Sequence, residues 1–130
     1  MDNWPIPELI GVKGGENKQG APEIVSINYD MWTLRIALLF KNQSRPTYVN
    51  FYSIGGFRVL DEGNLLEFWE KNYGDYYMYI VKEGGWLAME ASRESAPLLT
   101  VDGSNLTEYL IAGINDCVSI LSYSQPTISS

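Results

Sequence analysis

The sequence predicts an α+β fold: a mainly antiparallel, curved β-sheet of about seven to nine short strands with one principal helix, at about residues 62–72, packed on it. Three observations support this prediction. Apolar and polar residues alternate along most of the chain, which is the period of β-strands. Turn signals containing glycine, asparagine or proline separate the alternating segments. Helical spacing of apolar residues appears convincingly in one stretch, within residues 55–74.

The first strands are predicted from alternation. Residues 23–29 form one strand, and a tight turn at Asp30-Met31 leads into a second strand at 32–40. The residues that should share one face of this second strand are Trp32, Leu34, Ile36, Leu38 and Phe40. Its other face also becomes apolar near Leu39, which indicates a central strand. After a turn at 42–46, a third strand is predicted at 47–53.

The predicted helix follows a glycine pair and a short strand at 57–60. Asp61 stands where an N-cap belongs, and Glu62 places negative charge at the positive end of the helix dipole. The apolar stripe consists of Leu65, Leu66, Phe68 and Trp69. Gly74 supplies a left-handed stop. This helix is expected to dock on the sheet, which either bends around it or packs on a second small sheet.

Beyond the helix, strands at 76–82 and 86–91 should form a hairpin around Glu83-Gly84-Gly85. A short extended segment follows at 98–101. The last two strands are predicted at 109–112 and 117–121, with a helix over 105–114 as the alternative to the first of them.

The chain is expected to form a single domain over residues 1–130. Breakers make residues 1–21 an irregular N-terminal arm, but its apolar side chains indicate that it lies against the body. The tail at 124–130 is expected to be frayed.

Composition excludes several classes of function. The net charge of −7 disfavours binding to nucleic acid and is compatible either with simple solubility or with a basic protein partner. The chain has no histidine, so histidine-based triads and histidine-ligated metals are impossible. Cys117 is the one cysteine, which rules out an internal disulfide and predicts a small core residue. The N-terminus does not resemble a signal peptide and no apolar run suits a membrane span, so we expect a cytoplasmic protein without membrane association.

The remaining chemistry does not indicate an enzyme, a cofactor or a metal site. The acidic residues nearest one another in sequence, from Asp61 to Asp75, have the spacing of a solvated helix face and its cap rather than of a catalytic pair. The aromatic residues from Trp69 to Tyr79 lack the basic neighbours of a nucleic-acid stacking platform, which favours packing.

Three segments carry a family resemblance: GFRVLDEGNLLEFW, GGWLAME and EYLIAGINDCVSILSYSQP, within residues 47–126. They resemble a family of small bacterial proteins associated with the immunity proteins of contact-dependent growth inhibition and polymorphic toxin systems. The resemblance implies a single-domain inhibitor that binds one cognate toxin domain, for example a nuclease, and blocks its active site. It supplies no catalytic residues.

Such an inhibitor would use an acidic surface with aromatic anchors. The candidate partner-binding residues are Glu67, Glu70, Tyr73, Asp75 and Tyr76 at the end of the predicted helix, with Glu83 and Trp86 on the predicted hairpin. Two alternatives remain: a small-ligand-binding or regulatory α+β domain, and a homo-oligomeric structural domain that pairs through an edge strand. A monomer or weak homodimer is expected for the inhibitor.

Overall fold

The computed structural model describes residues 8–17, 20–61, 75–82, 85–87 and 106–129. Within these ranges lie nine strands. They are β1 (Leu9–Gly11), β2 (Glu23–Tyr29), β3 (Leu34–Leu39), β4 (Thr47–Phe51), β5 (Ile54–Asp61), β6 (Met78–Val81), β7 (Thr107–Ala112), β8 (Asp116–Ser122) and β9 (Thr127–Ser129). The predicted strand at 23–29 is therefore confirmed, and those at 32–40 and 47–53 are confirmed with shorter limits.

The strands form two antiparallel sheets. A five-stranded sheet has the order β1-β6-β7-β8-β5, and a four-stranded sheet has the order β2-β3-β4-β9. Strand β3 pairs with β2 on one side and β4 on the other, so the prediction that it is a central strand is confirmed. The pairing of β2 with β3 contains an irregularity between Ile24 and Ser26, of the kind produced by a β-bulge.

The predicted α+β fold class is wrong. Strand residues make up 58% of the described part and helical residues 2%, and this part contains no principal helix packed on a sheet. The helix predicted at 62–72 and its stop at Gly74 lie outside the described residues. Asp61, the predicted N-cap, is the last residue of β5 and is in register with Asp116. The physical reason for the error is that a second sheet, rather than a helix, covers the apolar face that the alternation predicted.

The main core lies between the two sheets. It joins fully buried side chains of β3 and β4 to those of the five-stranded sheet, as in a β-sandwich. Phe51 of β4 meets Tyr109 of β7 edge to face, with ring centroids 5.4 Å apart. Leu34, Ile36 and Leu38 are completely buried, and each contributes about 1.5–3 kcal/mol by leaving water.

A second apolar cluster lies on the opposite face of the five-stranded sheet. Its buried members are Leu9, Tyr79, Val81, Leu110, Ala112 and Cys117. The five-stranded sheet is therefore buried on both faces at its centre, which explains why β7 and β8 read as nearly continuous apolar runs. Cys117 is a buried core residue, as predicted.

The predicted hairpin around residues 83–85 is wrong. Strand β6 pairs with β1 on one side and β7 on the other, so it has no free edge for a strand at 86–91. Trp86 and Leu87 instead lie in a short helical turn, and residues 83–84 and 88–91 lie outside the described ranges. The Glu-Gly-Gly signal is local, whereas the pairing that forms joins segments that are distant in sequence.

The two possibilities for residues 105–114 are decided in favour of a strand. Residues Thr107–Ala112 form β7, so the helical alternative is wrong. At the C-terminal side, where a frayed tail was expected, Thr127–Ser129 forms β9 and pairs with β4. Leu9–Gly11, within the N-terminal arm, forms the edge strand β1. In the described part of the chain no helix is long and apolar enough to cross a membrane.

Candidate functional site

The turn between β2 and β3 is held by a side-chain acceptor. Asp30 Oδ1 accepts hydrogen bonds from the backbone N–H groups of Trp32, at 3.0 Å, and Thr33, at 2.8 Å. The hydrogen bond from Thr33 lowers the pKa of the Asp30 carboxyl group most, and the bond from Trp32 lowers it further. Met31 has a positive φ of 78°, which fits the tight reversal. The sequence Asp-Met-Trp-Thr therefore forms a turn with a fixed backbone.

This turn presents two large apolar side chains to solvent. Trp32 is 81% exposed and Met31 is 75% exposed. A single exposed apolar residue needs no explanation, but two adjacent ones at the tip of a constrained turn form a protrusion. Tryptophan is the residue type most enriched among the energetic anchors of protein interfaces. We call Met31 and Trp32 the tip.

The outer face of the four-stranded sheet, next to the tip, carries a polar network. Arg35 Nε donates to Asn50 Oδ1 at 2.9 Å, and the guanidinium carbon lies 4.8 Å from the centre of the Tyr48 ring. Asn50 is buried, and its Nδ2 donates to Ser129 Oγ at 3.5 Å, the long limit for such a bond. The network joins β3, β4 and β9, and it holds the arginine side chain in place.

A groove of about 440 Å³ opens on the same face. Its lining residues are Ser26, Asn28, Asp30, Thr33, Arg35 and Tyr52. Asn28 is in register with Arg35, and Arg35 with Asn50, so these side chains form one row across the sheet. Tyr52 shares a hydrogen bond of 3.1 Å with Thr127, which connects the groove to β9. We call this the outer-face groove.

The five-stranded sheet contains a buried carboxylate. Glu108 of β7 is 1% exposed. Its two oxygens accept hydrogen bonds from the backbone N–H groups of Trp86, at 3.2 Å, and Leu87, at 2.9 Å. Burial raises the pKa of Glu108, and the hydrogen bonds from Leu87 and Trp86 and the charge of Arg58 oppose this effect. Since both oxygens already accept backbone amides, we assign Glu108 the role of fastening residues 85–87 to the sheet.

The surroundings of Glu108 are tightly packed. A Cβ added at Gly85 would lie 2.7 Å from one carboxylate oxygen and 2.6 Å from a methyl group of Val81. The Trp86 ring lies over the guanidinium of Arg58, 4.8 Å from ring centre to carbon. Only glycine allows the chain to pass this close, so the glycines predicted to form a hairpin turn include one that serves close packing instead.

The structure places three of the seven predicted partner-binding residues. Asp75 is exposed. Tyr76 is half-buried, its ring covers Gly11, and its N–H donates to the Tyr79 hydroxyl at 3.2 Å. Trp86 is half-buried against Arg58. The other four, Glu67, Glu70, Tyr73 and Glu83, lie outside the described residues.

Tyr76 and Trp86 are not brought together. Tyr76 packs on Gly11 of β1, at one edge of the five-stranded sheet, whereas Trp86 packs at the other edge, on Arg58 and near Gly56 of β5. Four strand spacings separate these edges, which is roughly 19 Å. Both side chains have packing roles in the structure.

The tip and the outer-face groove were not predicted from the sequence. Alternation predicts that the strand begins at Trp32 and that Trp32 shares a face with Leu34, and this is wrong because the turn continues through Thr33 and Trp32 is exposed. The signal that identifies the tip is Asp30 three residues before Thr33, the spacing of a side-chain-capped turn. No local signal identifies the row of Asn28, Arg35 and Asn50, because strand register creates it.

No group of three or more side chains suitable for holding a metal ion occurs within the described ranges. Comparisons with protein-family models, with curated proteins and with solved structures found no match.

Proposed function

We propose that this protein is a non-catalytic immunity protein that binds and neutralises a cognate bacterial toxin domain, and that the tip is the anchor of the contact. The observation that carries the proposal is the exposure of Met31 and Trp32 on a turn whose backbone is already fixed. The sequence resemblance to immunity proteins supports the same role.

A fixed turn favours binding for an energetic reason. Association loses conformational freedom, and a residue that is already ordered before binding loses less of it. The two bonds from the Trp32 and Thr33 amides to Asp30 order the turn in the free protein. Binding through the Trp32 side chain then needs no further ordering of the backbone of the turn, and anchors of this kind are worth about 2 kcal/mol or more.

Charge is the second part of the proposal. A net charge of −7 attracts a basic toxin domain, such as a nuclease with a phosphate-binding cleft, and accelerates association about 10- to 1,000-fold. The described ranges hold 8 of the 16 acidic and 6 of the 9 basic residues, and so contribute −2 of this charge. Most of the acidic surplus therefore belongs to the other residues, which include the predicted contacts Glu67, Glu70 and Glu83. We propose that the apolar anchor and the acidic surplus act together.

The test is co-expression with the toxin domain encoded next to this protein. The wild-type protein should restore growth and form a tight, salt-sensitive complex. Trp32→Ala should weaken the complex by about 2 kcal/mol, roughly thirtyfold, because the change removes the anchor. Continued growth arrest without any recovered complex would refute the proposed function.

A matched control is available at the other end of β2. Ile114 is 51% exposed, and its N–H donates to the carbonyl of Pro22, just before β2 begins. The length of β2 places this residue roughly 20 Å from the tip. Ile114→Ala should leave both rescue and affinity unchanged, whereas equal losses in the two variants would show that the tip is not the anchor.

A further inference from the structure

The outer-face groove has the chemistry of a small-ligand site that is separate from the tip. It is lined by hydrogen-bonding side chains from β2, from the turn and from β3, together with Tyr52 after β4. Trp32 and Met31 do not line it. Its volume of about 440 Å³ falls within the range of roughly 300–1,000 Å³ that is usual for small-molecule sites.

The arginine of the groove is held in place before any ligand binds. Arg35 uses Nε to reach Asn50 and lies over the Tyr48 ring. Asn50 is 3% exposed and also donates to Ser129, so this support is itself anchored. Among the described residues, these are the contacts of the guanidinium group, and its Nη atoms remain as donors for a ligand.

The groove also contains a charged acceptor, Asp30. Asp30 uses Oδ1 to accept the two turn amides, which leaves Oδ2 without a described partner. Those amides lower the pKa of this carboxyl group, so Asp30 is ionised at neutral pH and acts as an acceptor alone. Neutral groups that both donate and accept also line the groove: the hydroxyls of Ser26 and Thr33 and the amide of Asn28.

The balance of charge in the groove disfavours ligands that carry a net charge. One carboxylate and one guanidinium leave the groove with no net charge. The negative charge of Asp30 repels a phosphate or a dicarboxylate, and the positive charge of Arg35 repels an organic cation. A ligand with a net charge of either sign is therefore repelled by one of the two residues. A polyhydroxylated ligand satisfies both, because each hydroxyl can donate to Asp30 and accept from Arg35.

We infer that the outer-face groove binds a neutral polyhydroxylated ligand, a sugar, with Asp30 as acceptor and Arg35 as donor, flanked by Asn28, Thr33 and Tyr52. Because the groove is open to solvent along one side, it buries only part of such a ligand. Dissociation constants on the order of 1 mM, or about 4 kcal/mol of binding free energy, are therefore expected.

The experiment is a titration of the full ¹⁵N-labelled chain, followed by two-dimensional NMR. The probes are maltose, cellobiose and N,N′-diacetylchitobiose, with sodium phosphate and L-lysine as charged comparators. At least one disaccharide should produce saturable shifts at the amides of Asn28, Thr33, Arg35 and Tyr52. Absence of saturable shifts with all three disaccharides, or saturable shifts at these amides with phosphate or lysine alone, overturns the inference.

Two variants test the assignment of residues. Asn28→Ala removes a side chain that has no described hydrogen bond, and Arg35→Met keeps the aliphatic stem but removes the donors. Each should lower sugar affinity about tenfold, a change of about 1.4 kcal/mol. The thermal midpoint of Asn28→Ala should stay close to that of the wild type, whereas Arg35→Met leaves the buried Asn50 Oδ1 without its donor and should lower the midpoint, so its affinity is compared at a temperature at which both proteins are folded. The matched control is Arg45→Met, since Arg45 is exposed in the connection between β3 and β4 and does not line the groove. Unchanged affinity in Arg35→Met, or equal loss in Arg45→Met, refutes the assignment.

This inference and the proposed function fail separately. Trp32→Ala should weaken toxin binding and leave sugar binding intact, because Trp32 does not line the groove. Asn28→Ala should lower sugar affinity in the absence of any toxin domain. Loss of sugar binding in Trp32→Ala would show that the groove and the tip are one site and would overturn the inference of two separate sites.

Discussion

Replacing Glu108 should destabilise the fold by an amount that follows from its contacts. The side chain is 1% exposed, and its oxygens accept the N–H groups of Trp86 and Leu87. Glu108→Ala leaves two amides without their acceptor, at about 1–3 kcal/mol each, so the free energy of unfolding should fall by about 2–6 kcal/mol. Glu108→Gln retains the volume and one acceptor oxygen, so a smaller loss of about 1–2 kcal/mol is expected.

The pH dependence of stability gives a sharper test. Burial raises the pKa of Glu108 in the folded protein above its usual value of 4.5. Between the usual and the raised pKa the folded state holds more protons than the unfolded state, so the free energy of unfolding falls as the pH rises through this window. The contribution is complete below the unfolded pKa, and one proton limits the slope to about 1.4 kcal/mol per pH unit. Glutamine does not titrate, so Glu108→Gln lacks this pH-dependent contribution to the free energy of unfolding.

Urea unfolding followed by tryptophan fluorescence, from about pH 4 to about pH 8, measures both effects. As the pH rises, the free energy of unfolding of Glu108→Gln should increase relative to that of the wild type. Glu8→Gln, at an exposed glutamate, controls for the loss of one negative charge. If the difference in free energy of unfolding between wild type and Glu108→Gln does not vary with pH, the interpretation of Glu108 as a buried carboxylate is refuted. A loss of free energy of unfolding below about 1 kcal/mol in Glu108→Ala would also refute it.

Three further predictions concern packing and exposure. Gly85→Ala should lower the free energy of unfolding by about 1–3 kcal/mol in denaturant titrations, because the added Cβ would clash with the Glu108 carboxylate. In the control Gly56→Ala, the atom nearest to the added Cβ is 3.6 Å away, so the free energy of unfolding should change by less than about 1 kcal/mol. Leu38→Ala should cost about 2–5 kcal/mol in the same measurement, since this side chain is fully buried in the main core, and a loss below about 1 kcal/mol would contradict that placement. Trp32→Ala should change the free energy of unfolding by less than about 0.5 kcal/mol, and a larger loss would show that its ring packs on the fold.

Local alternation predicted strands β2, β3 and β4, but not the short edge strands β1 and β9. Strand β2 has the predicted limits, and Leu34, Ile36 and Leu38 are buried together as a period of two requires. The same pattern failed at Trp32, where a turn capped by Asp30 interrupts the strand. Alternation gives the relative facing of residues within a strand, and it contains no information about where the strand begins.

Assembly of the strands could not be predicted from local signals. Strand β6 carries a Glu-Gly-Gly turn signal just after it, but it pairs with β1 and β7, which lie far away in sequence. The candidate site shows the same limit. Asn28, Arg35 and Asn50 become neighbours through the registers of β2, β3 and β4, and the buried contact of Glu108 with residues 86 and 87 crosses from one part of the chain to another.

The pairing of β9 with β4 has a consequence for folding in the cell. Asn50 is in register with Thr127, so the four-stranded sheet lacks its last strand until nearly eighty further residues have been synthesised. The five-stranded sheet likewise needs Leu9 to meet Val81. Pairing between strands this distant in sequence forms slowly, because closing a long loop loses entropy before any contact stabilises it. Both sheets should therefore close late, and nascent chains that end before residue 127 should be digested by protease much faster than the full chain.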